Sequence, residues 1–514
     1  MTRGRTEEAS GPAPTTLPTD RPLARGPGSL PALQAKPMNP QDWKLILLAL
    51  IAITALIVLI TKAKVNAFLS LLMASLVVGL GAVLLLDVPI RDTTGKVLTS
   101  PDGKASAYTV LGVMKSFGDG LGATLAGTAG VIALGTMLGK LLAESGGAEV
   151  LASRMARIFG PHRIQWCIMA LALAIGLTTW FAVGLVLLLP ILLTLTHETR
   201  QPFLRLALPL LACLSVMHGV MPPHPGPVVA VEALKANMGL VLFWGFVIGI
   251  PTAAVAGPIY AKFVVGRVQA NPPAIPKKAT STDPRFRLPG FGVTLFSILS
   301  PVILMLLATV AELLLPKGHS LREAAQFIGH PTLALLLAVL MASVTLGTRC
   351  GYTRSEVLKF TEQCIGAVGL TILVIGGGGG FARVLRDSGV AEAIGRAGDA
   401  AHLSPLLYGW LVSAFIRVAT GSATVAITTA SGLLVPVLAA HPEMNPHQVA
   451  LIICAVGCGS LFLSHLNDAG FWIVKDSLGL TVGQTLKTWT VCETIVGIAG
   501  MLFSLAAFHL VARL

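Results

Sequence analysis

The chain is poor in charged residues. Asp, Glu, Lys and Arg make up 12% of its 514 residues, whereas soluble domains carry roughly 25%. Hydrophobic residues make up 54%, and the mean hydropathy is +0.78. Apolar runs such as 45–60, 65–86 and 239–265 reach or approach the roughly 20 residues that span a bilayer. The scarcity of charge excludes an ordinary soluble protein and predicts an all-α polytopic membrane protein.

Motifs for metals, disulfides and catalysis are also scarce. The seven cysteines lie mostly inside apolar runs and form no Cys-x-x-Cys pair, so neither a disulfide framework nor a zinc site is indicated. The segment HETR at 197–200 departs from the HExxH pattern of zinc proteases. A membrane-embedded enzyme would need a nucleophile–base pair or a metal triad, and no such spacing is found. We therefore predict no enzyme, no metal and no cofactor.

The excess of positive charge has a topological explanation. The net charge is +13, but the basic residues sit in short loops between apolar segments. Cytoplasmic loops of membrane proteins carry such an excess of Lys and Arg. The chain has no basic folded domain, so nucleic-acid binding is not predicted.

Two polar stretches divide the chain. Residues 1–42 are rich in Pro, Gly, Thr and Arg, which predicts a disordered tail. No apolar segment of signal-peptide type precedes Trp43, so a cleaved signal is not expected. Residues 266–289 are rich in proline and basic residues and predict a linker loop. The remaining segments, 43–265 and 290–514, are predicted to be two transmembrane repeats.

The two halves resemble each other. GTMLGKLLAESGGAE (135–149) matches GGGFARVLRDSGVAE (378–392), with Ser145 and Ser388 offset by 243 residues. His218 and His465 are offset by 247. Matching offsets predict an internal repeat. The loops that follow the first-half motifs are more basic than their counterparts, which predicts that the repeats are inverted in the membrane.

Two helix breaks give the repeat its functional interest. SVMHGVMPPHPGP (215–227) and SLFLSHLNDAGFW (460–472) lie between long apolar segments. A lipid-facing backbone cannot be interrupted in this way, so each break must lie inside protein or line a water-filled cavity. The fold class is thus two inverted-topology repeats with broken helices or re-entrant hairpins.

The first break has the chemistry of an anion site. Its prolines end one helix, and a helix restarting after Pro227 would direct free N–H groups into the break. His218 and His224 could add hydrogen bonds or carry a proton. The alternative is a tight extramembrane turn with solvated histidines.

The second break contains a carboxylate. Asp468 lies three residues after His465 and directly after Asn467. A carboxylate at membrane depth is costly unless it is paired or titrates, so Asp468 and His465 are candidates for proton coupling. The alternative is an interfacial turn capped by Asn and Asp.

A third polar segment is RVATGSATVAITTASG (417–432). Arg417 could pair with an anion, and Gly421 interrupts the helix. The hydroxyls could line an aqueous path or meet substrate hydroxyls, or they could bond back to carbonyls one turn earlier. The run Gly376–Gly380 lacks the ending of a phosphate loop and favours close helix packing or a hinge.

Several motifs carry a resemblance to a known family. GTMLGKLLAESGGAE, VGLVLLLP, LSVMHGVMPPHPGP, RVATGSATVA, GSLFLSHLNDAGFW and TVGQTLKTWTVCETI occur in order between about residues 110 and 500. This set closely resembles the gluconate:proton symporter (gluconate permease) family of the ion-transporter superfamily. The resemblance implies proton-driven uptake of gluconate or a related small hydroxy or amino acid anion across the inner membrane. It also implies inverted repeats with re-entrant hairpins and a homodimer. One departure is Ala182, where the family carries a glutamate.

These observations predict a secondary active transporter whose partners are a small organic anion, protons and membrane lipid. The alternative within transport is a passive anion channel or uniporter. Proton coupling is predicted for His465 and Asp468. The predicted substrate-binding residues are Thr178, Thr179, Ser215, His218, His224, Arg417, Thr420, Gly421, Ser422, Thr424, Ser464 and Asn467.

Overall fold

The structure is a computed structural model that describes residues 39–86, 88–89, 107–268, 270, 285–400, 403–466 and 468–512. Residues 37–514 form one compact unit. Most of the predicted tail, much of the predicted linker, and Asn467 lie outside the described residues.

The first half of the described chain is a series of ten α-helices. The ninth continues into the tenth through a π-helical turn at Val255–Ile259, and a short 3-10 turn at Pro161–Arg163 precedes the fifth. The helices are α1 Pro40–Thr61, α2 Ala67–Leu86, α3 Val110–Glu144, α4 Gly147–Phe159, α5 Ile164–Gly176, α6 Phe181–Thr199, α7 Phe203–Val220, α8 Pro225–Ala233, α9 Met238–Ala254 and α10 Tyr260–Val264.

The second half adds eleven helices. π-Helical turns at Ser343–Gly347 and Leu486–Thr490 follow the third and tenth of these, and a 3-10 turn lies at Thr348–Cys350. The helices are α11 Phe291–Leu314, α12 Ser320–Ile328, α13 Pro331–Ala342, α14 Arg354–Asp387, α15 Val390–Ala400, α16 Pro405–Thr420, α17 Ala423–Ala439, α18 Pro446–Gly459, α19 Ala469–Ser477, α20 Val482–Thr485 and α21 Val491–Val511.

The prediction of an all-α polytopic membrane protein is confirmed. Within the described residues, nine helical segments are long and apolar enough to cross a membrane, or up to eleven if each of two bent pairs is one span. One bent pair joins α4 to the segment that contains α5, at an angle of 109°. The outward-facing leucines Leu84, Leu85 and Leu314 on α2 and α11 are exposed, as lipid-facing side chains are.

The order of helices in the first half recurs in the second. α3 and α14 begin at residues 110 and 354, a difference of 244, and α8 and α19 begin at 225 and 469, again 244. This register places His224 opposite Asp468, each the residue directly before its helix. The offset of 247 residues between His218 and His465 differs from this register by three residues. The inverted orientation of the repeats stays a prediction.

The hairpins that carry the breaks pack against each other at the centre. α7 is buried along almost its whole length. At Gly457 on α18, a Cβ atom would lie 2.3 Å from the backbone oxygen of Gly219 on α7. The two backbones can approach this closely only because the residue is glycine. The end of α7 is thus held against α18, and the two breaks meet inside the protein.

The glycine run on α14 is a packing surface, as the sequence favoured. A Cβ at Gly379 would lie 2.0 Å from Oγ1 of Thr124 on α3, and one at Gly378 would lie 2.0 Å from the Thr428 side chain on α17. On the opposing helix, a Cβ at Gly120 would lie 2.5 Å from the Gly379 backbone oxygen. Small residues at this crossing let α3 and α14 pack closely.

We expect Gly120→Ala to destabilise the protein by about 1–3 kcal/mol, because the new methyl group meets backbone atoms that cannot rotate away. Gly118→Ala and Gly122→Ala on the same helix are matched controls, since nothing lies within 4 Å of a Cβ at either position. The measurement is the apparent melting temperature of the purified proteins in detergent. An equal melting temperature for all three variants would contradict a tight crossing at Gly120.

Candidate functional site

Asp468 is the acid of the second break. It lies directly before α19, and its Oδ1 accepts a hydrogen bond from the Gly470 backbone N–H at 2.8 Å. Its Oδ2 accepts hydrogen bonds from the Ser464 hydroxyl and from Nη2 of Arg417. The carboxylate is buried and has three donors, so its charge is well stabilised where it lies.

Arg417 reaches this carboxylate from the last turn of α16. Its Nη1 donates to the backbone oxygen of Gly421 at 2.5 Å. Gly421 ends the helix with a φ of +74°, a left-handed conformation that favours glycine. The side chain of Arg417 is only 4% exposed, and its Nε has no hydrogen-bond partner among the described residues. The guanidinium is thus part of a buried ion pair and has one nitrogen, Nε, that bonds to no described residue.

The two histidines of the first break lie side by side. The rings of His218 and His224 are 5.5 Å apart, edge to face. Nε2 of His224 lies 2.5 Å from the backbone oxygen of Gly176, where α5 ends. His218 is within electrostatic range of both Arg417 and Asp468, and its buried Nδ1 has no partner among the described residues. The first break thus reaches the ion pair of the second half.

The contacts of His224 and Asp468 occupy equivalent positions in the two halves. His224 contacts the end of α5, and Asp468 contacts the last turn of α16. In each half, therefore, the residue before the short second helix of the hairpin bonds to the end of an earlier helix. In the first half this contact joins a histidine to a backbone oxygen, whereas in the second half it is an ion pair.

Glu493 is a member of this group that the sequence predictions missed. It lies in the first turn of α21, just after the π-helical turn, and it is fully buried. Oε2 accepts a hydrogen bond from the Ser215 hydroxyl on α7 at 2.8 Å, while Oε1 has no partner among the described residues. Glu493 also interacts electrostatically with Arg417 and Asp468. An acid within an apolar segment was a signal in the sequence.

Trp489 connects the second break to the first half. It lies in the π-helical turn before α21, and its indole N–H donates to the Ser464 hydroxyl at 2.7 Å. Its ring lies 5.1 Å from that of Phe181 on α6. π-Helical turns are frequent at functional sites because they redirect side chains. Here Trp489 bonds to Ser464 of the second break, and Glu493, which follows the turn, bonds to Ser215 of the first.

Most of the predicted hydroxyl ligands make local backbone contacts. Thr179 donates to the Ile175 oxygen at 2.9 Å, Thr178 to the same oxygen at 3.3 Å, and Thr420 to the Ile416 oxygen at 2.8 Å. Ser422 accepts from the Val425 N–H at 3.3 Å and caps the N-terminus of α17. Thr424 is half-buried. The alternative of local backbone bonding thus describes three of these threonines in this conformation, although their oxygens can still accept from a ligand.

The predicted residues therefore separate into two groups. The first group, which we call the central cluster, is buried except for the half-buried His218. Its members are Ser215, His218, Arg417, Ser464, Asp468 and Glu493. His224 adjoins it through His218. His465 has its Nδ1 2.9 Å from the Leu463 backbone oxygen and is half-buried. Its backbone oxygen accepts a hydrogen bond from the Asp468 N–H at 2.9 Å, but no described side-chain contact joins the His465 ring to the cluster.

Comparisons with known proteins agree with this architecture. Residues 101–511 match the family model described as "GntP family permease". A gluconate permease of Zymomonas mobilis is 41% identical over 91% of this chain and 98% of its own. An L-idonate transporter of the Gnt-II system of Escherichia coli is 37% identical, covering 88% and 97%, and a high-affinity gluconate transporter of the same organism is 36% identical, covering 89% and 97%.

A solved structure shares the fold at low sequence identity. The YdaH transporter of Alcanivorax borkumensis, described as having an unusual topology, aligns with a TM-score of 0.56 and 15% identity. The alignment covers 91% of this chain and 98% of that one. This likeness concerns the fold alone.

Proposed function

Since the chain belongs to the GntP permease family and is a multi-pass inner-membrane transporter, not an enzyme, we propose that it takes up gluconate or a closely related sugar-acid anion together with protons. The observation that carries this proposal is the central cluster. A buried arginine with an unused donor lies there among two acids, a histidine and two serines. Ionisable groups inside a membrane protein mark substrate and proton pathways.

The chemistry of the cluster suits a carboxylate that carries hydroxyl groups. A guanidinium binds carboxylates through parallel charge-assisted hydrogen bonds, which are about twice as strong as neutral ones. Nε of Arg417 is the donor still available for such an anion. Ser215, Ser464 and His218 offer further hydrogen-bonding groups beside it. The relatives named for gluconate and L-idonate support a polyhydroxylated acid as the substrate.

Charge balance supports proton coupling. Asp468 already neutralises Arg417, so a substrate anion would add an unbalanced negative charge to a buried site. Such a charge is costly in a membrane protein interior. A proton that enters with the anion removes this cost.

The two transmembrane repeats suit an alternating-access mechanism. We place the substrate between the transmembrane repeats 43–265 and 290–514, where the breaks of α7–α8 and α18–α19 meet. Inverted repeats that rock around a fixed central site expose it first to one side and then to the other. The burial of Arg417, Asp468 and Glu493 is what an occluded carrier requires, whereas a passive channel would need a continuous open path.

Uptake into proteoliposomes tests the proposal. Labelled gluconate should accumulate above its external concentration when the interior is alkaline, and a protonophore should abolish the accumulation. Unlabelled L-idonate should compete, and a neutral sugar such as glucose should not. Equilibration at a rate independent of the pH gradient would contradict proton coupling and support the uniporter or channel alternative.

A further inference from the structure

The central cluster as defined above contains two acids, Glu493 and Asp468, and one arginine, Arg417. Oxygens of Asp468 accept from Arg417, Ser464 and the Gly470 N–H. Glu493 receives a single hydrogen bond, from the neutral hydroxyl of Ser215, and its Oε1 has no partner among the described residues. The two acids therefore differ sharply in how their surroundings stabilise a negative charge.

We propose that Glu493 holds the coupling proton, and that Asp468 is instead the counter-ion of Arg417 when no anion is bound. This assignment rests on the proposed proton-coupled uptake and replaces the earlier candidates His465 and Asp468 as the site of the transported proton. An ionised carboxylate that is fully buried and accepts one hydrogen bond from a neutral donor does not recover most of the free energy that it loses on leaving water. The protonated acid needs no counter-ion, and its hydroxyl can donate a hydrogen bond.

The net charge of the central cluster predicts how many protons accompany each anion. With Glu493 protonated, Arg417 and Asp468 sum to zero, and a bound anion brings the cluster to −1. With Glu493 ionised and no anion bound, the cluster is again at −1. The negative charge of the cluster is thus supplied either by the substrate or by Glu493. If both were negative at once, the net charge of the cluster would be −2. The anion can bind only to the protonated form, so one proton accompanies each anion.

The proton step needs only water as a partner. A Glu493 carboxylate oxygen takes a proton from a hydronium ion on the outer side, forming an O–H bond and leaving water. After the anion leaves on the inner side, this O–H bond breaks and the proton passes to water. No oxidant, reductant or other co-reactant is involved.

The surroundings of Glu493 contain few competing titratable groups. Arg417 on α16 and Asp468 at the start of α19 interact with it electrostatically. Other elements also pack against α21. After the first turn of each of these helices, their titratable residues are Cys213 and His218 on α7 and Cys454 and Cys458 on α18, and the π-helical turn adds Lys487. Lys487 is exposed, and the cysteines are buried and uncharged as thiols. His218 is the remaining group that could exchange a proton with the cluster.

The test is Glu493→Gln in proteoliposomes. Glutamine keeps the shape and can accept the Ser215 hydrogen bond, but it cannot release a proton. We expect gluconate exchange to continue at a reduced rate, while accumulation driven by a pH gradient disappears. The matched control is Glu443→Gln, the same change at an exposed position in a loop, which should keep gradient-driven accumulation. Accumulation by Glu493→Gln that still responds to the gradient would overturn the assignment.

Infrared difference spectroscopy provides a readout that does not depend on transport. The protein at neutral pH should show the C=O stretching band of a protonated carboxyl group, which Glu493→Gln removes and Glu443→Gln leaves in place. Persistence of the band in Glu493→Gln would overturn the assignment even if that variant does not transport. Wild-type protein that moves gluconate without any response to the gradient would overturn proton coupling itself. A coupled wild type beside a coupled Glu493→Gln would overturn only the role of Glu493.

Discussion

Replacing Arg417 with lysine should reduce gluconate uptake by about 100-fold or more, the largest effect we expect from any single substitution. The guanidinium donates to Gly421 and Asp468 at once and keeps Nε for the substrate. A lysine ammonium is a compact charge on a flexible stem and cannot reproduce this fork. A hydrogen bond to a charged group contributes about 1.5–3 kcal/mol, and each 1.4 kcal/mol corresponds to about tenfold in binding.

Arg396→Lys is the matched control for this substitution. Arg396 on α15 binds both carboxylate oxygens of Asp42 on α1, at 3.0 and 2.5 Å, so the same chemical change is made in another Arg–Asp pair. Initial rates should be compared at equal amounts of folded protein in the membrane. We expect Arg396→Lys to transport gluconate with an unchanged KM. Uptake by Arg417→Lys at the control rate would show that the substrate carboxylate binds elsewhere.

Replacing Asp468 with asparagine should separate exchange from net uptake. Without its counter-ion, Arg417 is free to bind a substrate anion, so the loaded carrier can still change orientation. The empty carrier would lose the carboxylate that bonds to Arg417, and the ionised Glu493 bonds to Ser215 and not to the guanidinium, so the loss of this buried pair costs several kcal/mol. We therefore expect gluconate–gluconate exchange to persist while net uptake into empty vesicles falls by about 10- to 100-fold, since each 1.4 kcal/mol is a factor of about ten.

Two measurements distinguish this behaviour from misfolding. Asparagine can still accept the Gly470 N–H and cap α19, so the hairpin should survive. Because gluconate supplies the missing negative charge, it should raise the melting temperature of Asp468→Asn more than that of the wild type. Asp42→Asn, which removes the equivalent charge beside Arg396, should show no such enhancement. Exchange and net uptake that fall in parallel would contradict the role of Asp468 as the counter-ion of the empty carrier.

The sequence was sufficient to predict the helical membrane fold and the two breaks. Prolines and polar residues inside apolar segments are strong local signals, and Pro222, Pro223, Ser464 and Asp468 lie between helices as expected. The pairing of Arg417 with Asp468 was not predictable, because it joins residues 51 positions apart through the docking of a hairpin. Both were singled out, but for different roles.

Other features depend on details that the sequence alone leaves undetermined. A threonine in a broken helix can face a ligand or bond to its own backbone, and the structure shows the second arrangement for Thr178, Thr179 and Thr420. Glu493, by contrast, could have been found from its position in an apolar segment. It lies outside both breaks, and α21 is unbroken after its π-helical turn, so no helix interruption marks its position.

The most direct test of the central claim is a structure of the protein bound to gluconate. The account predicts that the gluconate carboxylate lies within hydrogen-bonding distance of Nε of Arg417, with its hydroxyl groups near Ser215, His218 or Ser464. A gluconate molecule bound away from the central cluster, with the Arg417–Asp468 pair unchanged and no contact to Arg417, would contradict it.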